Sequence, residues 1–189
     1  MRYEANYDTA VTYLMAGLTD RAKESFLAAL AGVEASQKVR TNVVYLRILA
    51  VLAKIALQQG ARAEADAYIV EGLRVKPDHA DLLFLRTLYC WEEKRFDDMF
   101  GAAVSYLVSY GSTDRARYEY EFFGDGPVRE MFATLIPLAY AKSATRLQTL
   151  EVVRKLAETT KNPLVQRAYQ VMTAINTPRT SNAQERAAS

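Results

Sequence analysis

The chain has 189 residues, of which half are hydrophobic and only 8 are glycine and 5 are proline. This composition favours helices over a turn-rich β architecture, and the length is sufficient to bury a sizeable core. The formal net charge is +2, from 24 basic and 22 acidic residues, and this balance argues against a nucleic-acid-binding surface.

The cysteine content and the hydropathy pattern indicate in which cellular compartment the protein is expected. One cysteine, Cys90, excludes an internal disulfide framework and is typical of a reducing environment. The first residues carry charge and lack the apolar stretch of a secretory signal. No run of about 18 apolar residues is present, so we expect no membrane insertion and a cytoplasmic location.

In chain order, the apolar periodicity first predicts two helices joined by a tight turn. They cover Asp8–Ala16 and Arg21–Val33, with the turn at residues 17–20. Thr19 or Asp20 is expected to cap the second of these helices. The residues around 35–42 are expected to lengthen a helix or a loop rather than to form a separate element.

Two more helix pairs follow. One runs from about Arg40 to Gln59, turns at Gly60 and continues over Arg62–Val75, where Pro77 stops it. The next covers Asp81–Glu93 and Phe96–Tyr110.

Beyond residue 110 the helical register fails. Residues 114–127 form a polar and aromatic connector, and a degenerate pair of helices is expected over Val128–Ser143 and Leu147–Lys161. Pro137 is expected to kink the first of the two. A final helix is predicted over 163–175, and residues 177–189 are predicted to be a disordered tail.

The first three helix pairs share a repeated set of landmarks. The landmarks of the first pair recur in the second pair 43 residues later, and those of the second pair recur in the third 34 residues later, with small residues at fixed places. A period near 34 is typical of stacked helix-turn-helix units. The three sets are Gly17, Ala22, Phe26, Ala29 and Leu30; Gly60, Ala65, Ile69, Gly72 and Leu73; and Lys94, Met99, Ala103, Tyr106 and Leu107.

On these residues, and most clearly on the second set with Ala53 and Pro77, the chain resembles the tetratricopeptide-repeat (TPR) family. The resemblance implies an all-α fold, a right-handed superhelical stack of antiparallel helix pairs (an α-solenoid) with a capping C-terminal helix. The implied domain covers 1–176, and its parts are units at about 3–36, 46–79 and 80–110, a degenerate pair at 128–161, and a cap at 163–176.

In this family the first helix of each unit lines a concave groove that binds a peptide or a partner protein. The resemblance therefore places partner-binding residues at Tyr7, Arg47, Lys54, Phe84, Leu88 and Trp91. Alternatively, Phe84 and Trp91 pack against the degenerate helix pair and the connector. Tyr118 and Tyr120, in the aromatic connector, are further candidates, although the connector could equally fold into its own groove.

The sequence offers little for catalysis. His79 is expected to be a solvated loop residue and Cys90 a buried packing residue. One histidine and one cysteine make a zinc site improbable. We therefore predict no enzyme activity, no metal and no cofactor.

The leading hypothesis is a non-enzymatic scaffold or adaptor that binds another protein or a peptide and that can form homo-oligomers. Residues 77–98 also resemble repeats found beside bacterial family-2 glycosyltransferase domains, which implies an accessory or substrate-tethering module as an alternative. A secretion-type chaperone is a third hypothesis.

Overall fold

A computed structural model of the protein describes residues 2–112 and 125–176, and within these ranges every regular element is helical. The prediction of an all-α fold is confirmed for this part of the chain. The chain divides into two compact units, an N-terminal unit of residues 1–124 and a C-terminal unit of residues 125–189. The connector tyrosines Tyr118 and Tyr120 and the predicted tail, residues 177–189, lie outside the described residues.

The N-terminal unit contains three helix pairs. In each pair the two helices pack against each other, the second helix also packs against the first helix of the next pair, and the first helices contact one another in turn. The first helix begins at Arg2 rather than at the predicted Asp8. The pairs are α1 (Arg2–Met15) with α2 (Thr19–Ala31), α3 (Val43–Gln58) with α4 (Arg62–Val75), and α5 (Ala80–Glu92) with α6 (Phe96–Ser112).

The turns inside the three helix pairs have the same backbone geometry. Gly17, Gly60 and Lys94 adopt left-handed φ angles of 73°, 71° and 58°. In each turn the N–H of this residue donates to the carbonyl three residues earlier. The next N–H donates to the carbonyl five residues before it, and all six distances are 2.8 to 3.1 Å. This is the Schellman motif, which satisfies the last carbonyls of a helix.

Small side chains lie where the two helices of a pair cross. Ala10 on α1 and Ala22 on α2 are fully buried, as are Ala53 on α3 and Ala65 on α4. Side chains of this size allow helix axes to approach to about 8–10 Å. In the third pair the corresponding buried residues are the larger Thr87 and Met99.

One glycine of the repeat lies at the contact between consecutive pairs. Gly72 on α4 is buried, and a Cβ atom added to it would collide with the side chain of Leu82 on α5. The corresponding residue of the first pair is Ala29, which is also fully buried. A side chain at Gly72 would therefore require the Leu82 side chain to move.

The link between the first two pairs differs from prediction. A short 3₁₀ turn at Ala35–Gln37 forms, followed by a loop that ends at Asn42. The Asn42 side chain accepts a hydrogen bond from the Tyr45 N–H at 3.1 Å and so caps α3. The predicted cap of α2 by Thr19 or Asp20 is wrong, because the helix already includes Thr19 and has no side-chain cap.

The C-terminal unit begins with a helix that contains one widened turn. Its segments are α7 (Asp125–Glu130), a π turn (Met131–Leu135) and α8 (Ile136–Lys142). Pro137 has no N–H to donate, and its ring would clash with the carbonyl four residues earlier in a regular helix. The chain adopts wider hydrogen bonding instead, with the Ile136 N–H donating to the Met131 carbonyl.

The remaining helices of the C-terminal unit pack on this first helix and on each other. They are α9 (Arg146–Thr160) and α10 (Pro163–Asn176). Buried residues of α10 include Val165 and Met172, and the Asn176 side chain donates a hydrogen bond to the hydroxyl of Tyr140 on α8. Among the residues that the structure describes, no helix combines the length and apolar character needed to cross a bilayer.

Because Gly60 and Lys94 share the same left-handed turn position, adding a side chain at one and removing it at the other should change the stability of the fold in opposite directions. Gly60→Ala should lower the free energy of unfolding by about 1 kcal/mol, because a Cβ strains a left-handed residue. A Cβ at Gly60 meets no atom within 4 Å, so the effect is confined to the backbone. Lys94→Gly should raise the free energy of unfolding by about 0.5–1 kcal/mol. Urea denaturation of each variant measures both effects.

The control is Gly101→Ala in the middle of α6, where the added Cβ also meets no atom within 4 Å and φ is not left-handed. Alanine is the better helix former, so this variant should be more stable by about 0.5–1 kcal/mol. Equal effects of Gly60→Ala and Gly101→Ala would contradict the proposed turn geometry.

Candidate functional site

The structure brings two predicted binding residues together on neighbouring first helices. Tyr7 lies on α1 and Arg47 on α3, and the Arg47 Nη1 atom donates to the Tyr7 hydroxyl at 3.0 Å. The Tyr7 ring packs edge-on against Phe26, with a centroid distance of 5.9 Å. Both Tyr7 and Arg47 are half-buried, so each is anchored in the fold and still partly accessible to solvent.

A third predicted residue, Lys54, lies two helical turns further along α3 and is also half-buried. Burial lowers the pKa of its ammonium group, and the charge of Asp81 opposes that change. Arg47 and Lys54 therefore both belong to a partly desolvated region of the first helices.

Asp81 on α5 completes this group and was not singled out from the sequence. Only 5% of its surface is exposed, and its Oδ1 atom is buried without a hydrogen-bond partner among the described residues. Burial raises the pKa of its carboxyl to about 7, while the charges of Arg47 and Lys54 lower it. We call Tyr7, Arg47, Lys54 and Asp81 the first-helix cluster.

The repeat offset relates two members of the cluster. Asp81 follows Arg47 by the same 34 residues that separate Gly60 from Lys94. Corresponding positions on α3 and α5 therefore carry opposite charges. Applying the offset to Arg47 would have identified Asp81 from the sequence alone.

The aromatic residues predicted on α5 have different environments. Phe84 is 2% exposed, and its ring lies 5.8 Å from the ring of Tyr106 on α6. Phe84 is therefore a core residue and does not line an open groove. Leu88 and Trp91 are half-buried, and the Trp91 ring lies 5.9 Å from that of Phe96.

The prediction of a solvated His79 is wrong. This residue is 6% exposed and caps α5, with its Nδ1 atom accepting the Leu82 N–H at 3.4 Å. Burial lowers the pKa of its imidazole to about 4, with a smaller contribution from Lys76. The side chain is therefore neutral near pH 7.

Cys90 is buried, as predicted, and burial raises the pKa of its thiol. Within residues 2–112 and 125–176, histidine, cysteine, aspartate and glutamate side chains form no group that could hold a metal ion.

His79 and Asp81, both at the start of α5, couple folding to pH in opposite directions. The folded-state pKa of Asp81 lies above its ordinary value of 3.8, so its contribution to stability is present below pH 3.8 and is lost as pH rises to about 7. The folded-state pKa of His79 lies below its ordinary value of 6.5, so its contribution is present above pH 6.5 and is lost as pH falls to about 4.

Removing either group should expose the pH dependence of the other. Between pH 4.5 and 6.5, the free energy of unfolding of Asp81→Asn should fall with decreasing pH relative to the unmodified protein, by up to about 1.4 kcal/mol per pH unit. That of His79→Asn, which retains a capping side chain, should rise with decreasing pH. Urea denaturation at several pH values measures these slopes.

Asp8→Asn, at an exposed position of α1, is the control and should follow the unmodified protein at every pH. Parallel pH profiles for all four proteins would show that neither group has a pKa that differs between the folded and unfolded states.

Comparisons of the chain with models of known protein families, with curated proteins and with solved structures found no match.

Proposed function

We propose that the protein is a non-enzymatic scaffold that binds another protein or a peptide through the first-helix cluster. The observation that carries the proposal is the grouping of Tyr7, Arg47 and Lys54 on two first helices that contact each other. The proposal includes a right-handed superhelical stack of the TPR kind, which the repeated Schellman turns support. In such a stack the first helices share the concave surface.

The partial burial of the cluster suits recognition of an acidic segment. Water screens a half-buried cation less than an exposed one, so a carboxylate gains more from pairing with Arg47 or Lys54. The tyrosine ring offers contact area at low entropic cost. Leu88 and Trp91, half-buried on α5, supply apolar contacts for a neighbouring residue of the same segment.

The other two hypotheses differ only in the partner they assign. An accessory module would bind a glycosyltransferase or its acceptor protein, and a secretion-type chaperone would bind an exported protein. No described residue favours either partner, and a cytoplasmic location likewise stays a prediction.

Charge reversal tests the proposal. The double variant Arg47→Glu, Lys54→Glu should weaken binding of the physiological partner at least tenfold, mainly through faster dissociation, because the affected contacts are partly desolvated. The partner is identified by affinity purification from native extract, and its association and dissociation rates with purified variants are then measured.

The matched control is Arg21→Glu, Arg74→Glu, which reverses two exposed cations on the second helices α2 and α4. It imposes the same change in net charge and should leave the affinity within about twofold, since exposed charges contribute little to specific contacts. Equal losses in the two double variants would attribute binding to net charge and would exclude the first-helix cluster as the binding surface. Circular dichroism of both double variants tests whether they retain the helical fold.

A further inference from the structure

We propose that the first-helix cluster takes up a proton at Asp81 when it binds an acidic segment, so that such a segment binds more tightly at pH 6 than at pH 8. The inference rests on the proposed function, because it concerns the same site. It specifies the chemistry of the partner segment and a mode of regulation.

The first support is the environment of the Asp81 carboxyl group. Asp81 as a residue is only 5% exposed, yet its Oδ1 atom accepts no hydrogen bond from any described residue. A buried carboxylate is stable when several donors or a close cation compensate for lost hydration. With one oxygen unsatisfied, compensation depends on the charges of Arg47 and Lys54.

An acidic ligand competes with Asp81 for these cations. When a ligand carboxylate pairs with Arg47 or Lys54, less positive potential remains to stabilise an ionised Asp81, and the two like charges repel each other. Protonation of Asp81 removes both penalties. Because linkage is reciprocal, a ligand that favours protonation of Asp81 is itself bound more tightly when Asp81 is protonated.

Several other charged groups on the helices that pack against α5 pair with groups other than Asp81. On α4, Asp66 pairs with Arg86, and Arg62 lies 3.3 Å from Glu93. At the start of α6, Asp98 pairs with Arg95 at 2.5 Å. Arg47 and Lys54 of α3 are the groups that act on Asp81 in the part of the chain that the structure describes.

The pKa values of two further groups, His79 and Lys54, are lowered by burial. Burial lowers the pKa of His79 to about 4, so this residue stays neutral between pH 6 and 8. Burial also lowers the pKa of Lys54. Loss of the Lys54 proton would also weaken acidic ligands as pH rises, so the experiment must separate it from Asp81.

The probe is an acetylated and amidated peptide with several glutamates and one tryptophan, and the full chain is titrated with it by isothermal calorimetry. Measurements at pH 7 in phosphate and in Tris, which differ in ionisation enthalpy, give the number of protons taken up. We expect uptake of about half a proton and a Kd about three- to tenfold higher at pH 8 than at pH 6.

Two variants test which residue takes up the proton when the probe binds. Asp81→Asn should bind the probe without this uptake and with a Kd that changes less than twofold between pH 6 and pH 8. Lys54→Arg, which keeps a permanent positive charge, should retain the uptake of the unmodified protein. If Asp81→Asn does not fold, the two-buffer measurement on the unmodified protein and on Lys54→Arg still shows whether binding takes up a proton and whether that proton belongs to Lys54.

The outcomes separate this inference from the proposed function. Binding of the probe without proton uptake, or uptake that Asp81→Asn retains or Lys54→Arg loses, overturns the inference and leaves the scaffold function standing. Absence of probe binding while the physiological partner still depends on Arg47 and Lys54 also overturns the inference alone. Absence of both kinds of binding overturns both proposals.

Discussion

The left-handed residue that ends the first helix of each pair is the constraint on which the N-terminal unit depends. At Gly17, Gly60 and Lys94 the same pair of hydrogen bonds closes the helix and reverses the chain. The second helix then returns in the same register in each pair. In the first two pairs, small side chains such as Ala22 and Ala65 are therefore buried at the helix crossing.

This repeated register also explains the origin of the first-helix cluster. Once consecutive pairs pack with their first helices in contact, corresponding residues of α3 and α5 come near each other across the interface. Arg47 and Asp81 occupy such corresponding positions. A carboxyl group that would be costly to bury alone is tolerated because cations of the neighbouring helix offset part of its desolvation. The same packing that stabilises the unit thus brings these charged side chains together in a partly buried region.

Much of this fold follows from periodicity and glycine placement. The sequence pattern was sufficient to place the turn at Gly60 and the helix over Arg62–Val75, because helical periodicity and glycine preference act locally. The environments of His79 and Asp81 were not predictable in this way. Both residues follow Pro77 in a polar stretch that is typical of a solvated loop, and their burial results from the packing of α5 against α3 and α4. Phe84 faces α6 for the same non-local reason.

If residues of different helix pairs form one interacting cluster, Arg47 and Asp81 should be energetically coupled. A double-mutant cycle on Arg47→Met and Asp81→Asn, measured by urea denaturation at pH 8 where Asp81 is mostly ionised, tests it most directly. We expect a coupling free energy of about 1 kcal/mol, with Arg47→Met lowering stability more when Asp81 is present than when asparagine replaces it. Strictly additive effects of the two substitutions would contradict it.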